Sequence, residues 1–331
     1  MKKILLAVCA IAVVTLTGCK KDENDTPSGE QQQGEGIYNP GARIATLATG
    51  DETQTWVWAG AKLDRIESAD HDGNATGVQQ FSYTGDRIVS STQTVEGVTT
   101  EMRVNYSAGS IASIGVYTGG IQSLTATVLH NAAGKINRID IDVDASYVNT
   151  LLGMLTGFGM GGSKQGDKLS LQSADISTTF EWQGDNVSRM IVSADIDAGV
   201  TMEDIAQVVN LDDLLGDYAS LASLITGEQP LTVTLRDTVD FTYDDRHNPL
   251  QGFIGMLDPQ VLSANNYTLT DNHGVADITL TISVPILGNY PVSRSVPIVR
   301  VTDFIYTYNA AGFPLTVSDD EGNQTTYTYQ E

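Results

Sequence analysis

The sequence predicts a mainly β protein, a strongly curled or barrel-like antiparallel sheet built of β-hairpin repeats, with two helical insertions. Three observations carry that prediction. Large residues two apart recur just ahead of tight turns containing Gly or Asp. They return at the spacing of one hairpin, with 23 residues from Tyr83 to Tyr106 and 24 from Tyr106 to His130. Two other segments exchange the strand-like alternation for a helix-like apolar stripe.

Residues 1–18 come first. Lys2-Lys3, an apolar run over 4–14 and the small-residue ending Leu16-Thr17-Gly18-Cys19 make a secretory signal peptide, too short to remain as a spanning helix. The Leu-Thr-Gly-Cys ending resembles the bacterial lipoprotein box. That resemblance implies cleavage before Cys19, lipid on Cys19, and a mature chain anchored to a membrane without spanning it. Cys9 leaves with the signal peptide, so no disulfide is expected and the core is held by burial alone. Residues 19–40, with Lys20-Lys21-Asp22-Glu23-Asn24-Asp25 and Gln31-Gln32-Gln33, are polar and read as a flexible tether. The acidic cluster after Cys19 resembles the surface-export signal of Bacteroidetes-type lipoproteins. That implies the outer membrane, with the cell surface favoured over the periplasmic face.

The body, 41–331, reads as a single β-hairpin-repeat domain. Trp56-Val57-Trp58, Phe81-Ser82-Tyr83, Val104-Asn105-Tyr106, Val128-Leu129-His130, Phe180-Glu181-Trp182, Phe241-Thr242-Tyr243 and Tyr306-Thr307-Tyr308 each lead into a turn and a returning apolar strand. Period-two alternation puts both rings of a pair on one sheet face, and Gly supplies the positive φ of the turn. Repeats of this length stack supersecondary units over one continuous core, here about a dozen strands. The segment from Tyr306-Thr307-Tyr308-Asn309-Ala310-Ala311-Gly312 to Thr325-Thr326-Tyr327-Thr328-Tyr329 resembles an RHS-type tyrosine–aspartate repeat. With the lipoprotein start, the whole is similar to Bacteroidetes outer-membrane lipoproteins of unknown function with a porin-like curled sheet.

The insertions fall near 146–158, with Tyr147, Leu151, Leu152, Leu155 and Phe158 on one stripe, and near 203–225, with Ile205, Val208, Val209, Leu215, Leu221 and Ile225. After Pro230 the strands lengthen, over 231–243, 267–286 and 292–308. Asp271-Asn272-His273-Gly274 reads as a hairpin turn, and Pro285, Pro291 and Pro297 mark edges or strand ends.

The whole chain carries 41 acidic and 18 basic residues, a net charge of −23. Loss of residues 1–18 removes two lysines and takes the mature chain to −25. Such a surface repels phosphate backbones, so no nucleic-acid partner is expected. No Gly-x-Ser-x-Gly elbow, His-Glu-x-x-His or usable thiol signals nucleophilic or zinc catalysis. No catalytic residue is assigned. Asp140, Asp142 and Asp144 alternate along a strand, sharing one face that suits calcium or plain solvent; no other cofactor is indicated. Trp56, Trp58 and Trp182 occupy equivalent repeat positions. Exposed, they form a stacking platform for sugar rings; turned inward, they are cross-strand core pairs. These features favour a non-enzymatic, lipid-anchored envelope protein that binds a glycan or another polymer. The alternatives are a carboxylate-dependent glycan hydrolase and a structural or adhesive protein docking a protein partner through its helices.

Overall fold

A computed structural model of the chain describes residues 36–95, 97–143, 170–201, 227–254, 259–284 and 288–330. Sixteen strands follow one another as an up-and-down meander. The first nine are β1 (Ile44–Ala48), β2 (Glu52–Ala59), β3 (Lys62–Asp70), β4 (Ala75–Thr84), β5 (Arg87–Val95), β6 (Val98–Ser107), β7 (Ser110–Thr118), β8 (Ile121–His130) and β9 (Ile136–Val143). The rest are β10 (Ser170–Gln183), β11 (Asn186–Val200), β12 (Gln229–His247), β13 (Asn265–Val284), β14 (Gly288–Tyr308), β15 (Pro314–Asp319) and β16 (Gln324–Tyr329). Each pairs antiparallel with its sequence neighbours, and β1 pairs with both β2 and β16, so the sheet closes into a barrel. The strand count exceeds the expected dozen. Short β1, which carries no aromatic pair, is one of the strands that alternation alone does not announce.

In such a meander the turns alternate between two ends. At the near end lie the turns after the aromatic pairs, such as β2–β3 and β4–β5, together with the incoming chain at Gly36. At the far end lie β1–β2, β3–β4, β15–β16 and the others. The insertions expected near 146–158 and 203–225 lie outside the described residues. They depart from Val143 and Thr201 and return at Ser170 and Gly227, all at the far end. On that side β10 to β14 outrun their neighbours. β14 pairs β13 from Gly288 to Asp303 but reaches β15 only at Phe304. Pro291 and Pro297 sit on this long edge strand, where a missing amide donor costs least.

Alternation sends apolar residues inward and polar ones outward. Ile44, Leu63, Ile88, Val187 and Phe304 are fully buried inside. Outward stand Thr99, Glu101, Arg103 and Asn105 on β6, Asp195 and Asp197 on β11, and Thr232, Thr234 and Arg236 on β12. They join across strands, Arg236 to Asp195 at 2.7 Å and Thr46 to Thr328 at 2.6 Å. A barrel that crosses a membrane shows the opposite pattern, an apolar band outside and a polar lumen. The described outer face is mainly polar, with Val299, Val301, Ile305 and Leu315 as exposed apolar exceptions.

Sixteen strands enclose a lumen wider than wall side chains fill. Two segments close it at the near end. Residues 36–43 insert Tyr38, and the β12–β13 connection, with its short helix α1 (Pro259–Leu262), inserts Leu250, Phe253, Ile254 and Val261. The Phe253 ring lies 5.2 Å from Tyr38, 5.0 Å from Trp56 and 5.6 Å from Phe81, centroid to centroid. Tyr38 OH donates to Pro249 O at 2.8 Å, tying the two plugs together. Gly36 to Pro40, the end of the expected tether, is thus docked on the barrel.

One sequence expectation needs correcting. Asp271-Asn272-His273-Gly274 is the middle of β13, paired with β12 and β14 throughout. Gly274 serves close approach here. A Cβ on it would lie 2.4 Å from Asp237 Oδ1 and 2.6 Å from the Arg236 carbonyl.

Candidate functional site

The near-end rim is built by one device repeated. In each aromatic pair the first residue turns into the core, as Trp56, Phe81, Phe180 and Tyr306 do. In four repeats the second stands half-buried at the rim and donates to a backbone carbonyl of the preceding strand, whereas Tyr243 OH meets Ser263 Oγ and Tyr308 OH donates to Asp244. Trp58 Nε1 donates to Ile44 O at 2.8 Å, Tyr83 OH to Leu63 O at 2.7 Å, Tyr106 OH to Ile88 O at 2.6 Å and Trp182 Nε1 to Ile136 O at 2.7 Å. The residue just before each accepting carbonyl is a cation, and its head covers the ring. Arg43 lies 5.7 Å from the Trp58 centroid, Lys62 5.4 Å from Tyr83, Arg87 5.3 Å from Tyr106 and Lys135 5.0 Å from Trp182. Lys62 and Lys135 also donate to Gly85 O and Gly184 O and pair with Asp86 and Asp185. Burial pushes the Tyr83 phenol up to about 12, against the pull of its bond to Leu63.

The three predicted stacking tryptophans are therefore not a shared platform. Trp56 is 3% exposed and packs on Phe253. Trp58 is stacked on Tyr38 and covered by Arg43. Trp182 belongs to a distant repeat and lies under Lys135. Asp140 and Asp142 do share the outer face of β9. Asp140 accepts from Arg138 Nε at 2.6 Å, and Asp142 stands opposite Asp175. Asp144 and Cys19 lie outside the described residues. Among the described residues no three His, Cys, Asp or Glu side chains group as metal ligands. Asp70 in the β3–β4 turn, part of a calcium-like sequence, accepts from Asp72 N and Asn74 N at 3.0 and 2.8 Å. Those bonds, led by Asn74, hold its carboxyl below the ordinary value.

One inward patch gathers several polar residues and a carboxylate among mainly apolar neighbours. Asp237, between Leu235 and Val239 on β12, is 8% exposed. Asn272 Nδ2 donates to its Oδ2 at 3.0 Å. Asp237 Oδ1 and Asn272 Oδ1 are both buried without a hydrogen-bond partner. Arg300 stands opposite Asn272 and pairs with Glu321 at 3.1 Å, while buried Thr270 faces buried Thr302. Burial raises the Asp237 carboxyl, with the Asn272 hydrogen bond pulling the other way. The second raised carboxyl, Asp244, is also lifted by burial; it accepts from Tyr308 OH, Arg246 N and Asn266. Asp237 and Asp244 lie on one strand roughly 23 Å apart at strand rise, far beyond the separation of a glycosidase acid pair. Sequence reasoning missed Asp237, although an acid in the apolar phase of an alternating strand is a readable signal.

No protein-family description matches the chain, and no curated protein does. A crystal structure of a porin-like protein from Bacteroides uniformis aligns over 87% of this chain and 98% of that one, with 12% identity and a TM-score of 0.33. The architecture rests on this chain's own strand ladders. They define a closed, plugged, outward-polar sixteen-stranded barrel.

Proposed function

We propose that the chain is a lipid-anchored envelope protein of the outer membrane, facing the cell surface, that binds a ligand without transforming it. The observation that carries this reading is the inverted polarity of the wall. A barrel with charged side chains outside and Tyr38 and Phe253 packed inside neither spans lipid nor conducts solute. Attachment then falls to Cys19, on its lipoprotein-type context, and the RHS-like repeats supply a scaffold. The far end offers the ligand face, since the near end is taken up by the plug. Its turns and strand ends hold Asp51, Glu52, Asp70, Asp72, Glu228, Asp319, Asp320 and Glu321, with Arg300 of β14 paired to Glu321. Such a rim disfavours acidic polymers and leaves neutral glycans as the ligand class. The test is a glycan array probed with the mature full chain. Binding to neutral polysaccharides is expected; silence across the array overturns the ligand class. Mass spectrometry of the mature N-terminus tests the anchor separately, and an unmodified Cys19 overturns it.

A further inference from the structure

We infer that the barrel stands on the membrane by its near end, with the cation-covered aromatic collar toward the lipid headgroups and the acidic rim pointing away. This rests on the lipid anchor proposed above and adds an orientation and a contact surface.

Two independent observations carry it. The first is where the chain joins the barrel. Ile37 bridges Arg87 and Gly36 O accepts from Ile88 N at 3.0 Å, so the segment leading back to Cys19 leaves at the near end. Gly36 is fitted to that exit. Its φ is +72°, and a Cβ there would collide with the Tyr106 ring. A flexible linker as long as residues 19–35 reaches on the order of 25 Å, so a lipid on Cys19 favours having the exit end nearest the bilayer.

The second is charge. Arg43, Lys62, Arg87, Lys135 and Arg246 stand around the near end, with Asp86, Asp185, Asp244 and Asp245 among them. The near end is thus close to electroneutral, whereas the described far-end turns carry mainly acids. A headgroup layer containing anionic lipid repels the far end and tolerates the near one. Half-buried Trp and Tyr rings with polar tips, each beside a Lys or Arg, are also the side chains that suit a headgroup layer. The partner is the surface of the anchoring bilayer itself.

The experiment uses the lipidated full chain on vesicles of phosphatidylcholine with and without phosphatidylglycerol, in which some headgroups carry a nitroxide quencher. Lipid occupies Cys19, so one added thiol at a time takes a fluorophore: A61C or A133C at near-end turns, D72C or D320C at far-end turns. All four positions are exposed. Quenching at 61 and 133 should exceed that at 72 and 320 several-fold. Phosphatidylglycerol should widen the ratio and high salt should narrow it. Equal or reversed quenching on vesicle-bound protein overturns the orientation and leaves the anchor standing. Protein that does not sediment with vesicles overturns both.

Discussion

At the residue scale, the side chains fall into those that close a bond across the barrel and those that leave one open. Tyr83 closes one, reaching the Leu63 carbonyl of the previous hairpin at 2.7 Å. Tyr83→Phe removes that bond and leaves a carbonyl short of a donor, at an expected loss of about 1 kcal/mol in denaturant unfolding. Asp237 leaves one open. Its Oδ1 and that of Asn272 are buried acceptors facing no donor. The folded carboxyl has its pKa raised by burial, so the ionised form is disfavoured in the barrel relative to the unfolded chain. That destabilisation is fully present above the folded pKa and disappears as pH falls to the unfolded value. Asp237→Asn supplies a donor and removes the charge. Unfolding free energy at neutral pH should rise by roughly 1 kcal/mol, and the gain should shrink in acid below the ordinary carboxylate range. A loss at neutral pH would contradict this reading of Asp237. Gly274 lies against the same group. Gly274→Ala places a methyl 2.4 Å from Asp237 Oδ1 and against the Arg236 backbone, so unfolding should become easier by a few kcal/mol.

At the scale of elements, the hairpin is the unit, and much of it was legible in the sequence. Alternation shows in Phe81-Ser82-Tyr83 and Phe180-Glu181-Trp182 because strand periodicity needs only local spacing, and the structure puts the first ring of each inside. The turn Gly residues were legible for the same reason; Gly85 takes a φ of +60°. What failed had non-local causes. Asp271-Asn272-His273-Gly274 has the composition of a turn, yet its glycine answers to Asp237 on another strand. Tyr38 sits in a polar stretch and carries no periodic signal of burial. Leu250 and Phe253, which the sequence reads as a strand returning from Phe241-Thr242-Tyr243, lie in the long β12–β13 connection instead. Their role arises only because sixteen strands leave a space to fill. Phe253 touches three aromatic rings from two strands and the incoming chain. Phe253→Ala should therefore cost about 3–5 kcal/mol, read as a lower denaturant midpoint. A small shift would mean that the plug is dispensable to the barrel.

At the scale of the molecule, closure and polarity together define what the protein can be. Closure removes sheet edges over most of the circumference, and among the described residues β14 keeps a long one, interrupted by Pro291 and Pro297. The candidate tryptophans were legible as positions but not as surfaces, because exposure depends on which way the sheet curls and which cation lies above each ring. The outward ladders, Arg236 with Asp195 and Arg103 with Glu101, place charge where a membrane-spanning barrel needs hydrocarbon contact. The most direct test is a detergent phase-partition measurement on a chain beginning at Lys20, without the lipid-bearing cysteine. A water-facing, plugged barrel predicts that this protein stays in the aqueous phase while the lipidated form enters the detergent phase. Recovery of the cysteine-free chain in the detergent phase would contradict the account, because its wall would then have to face lipid.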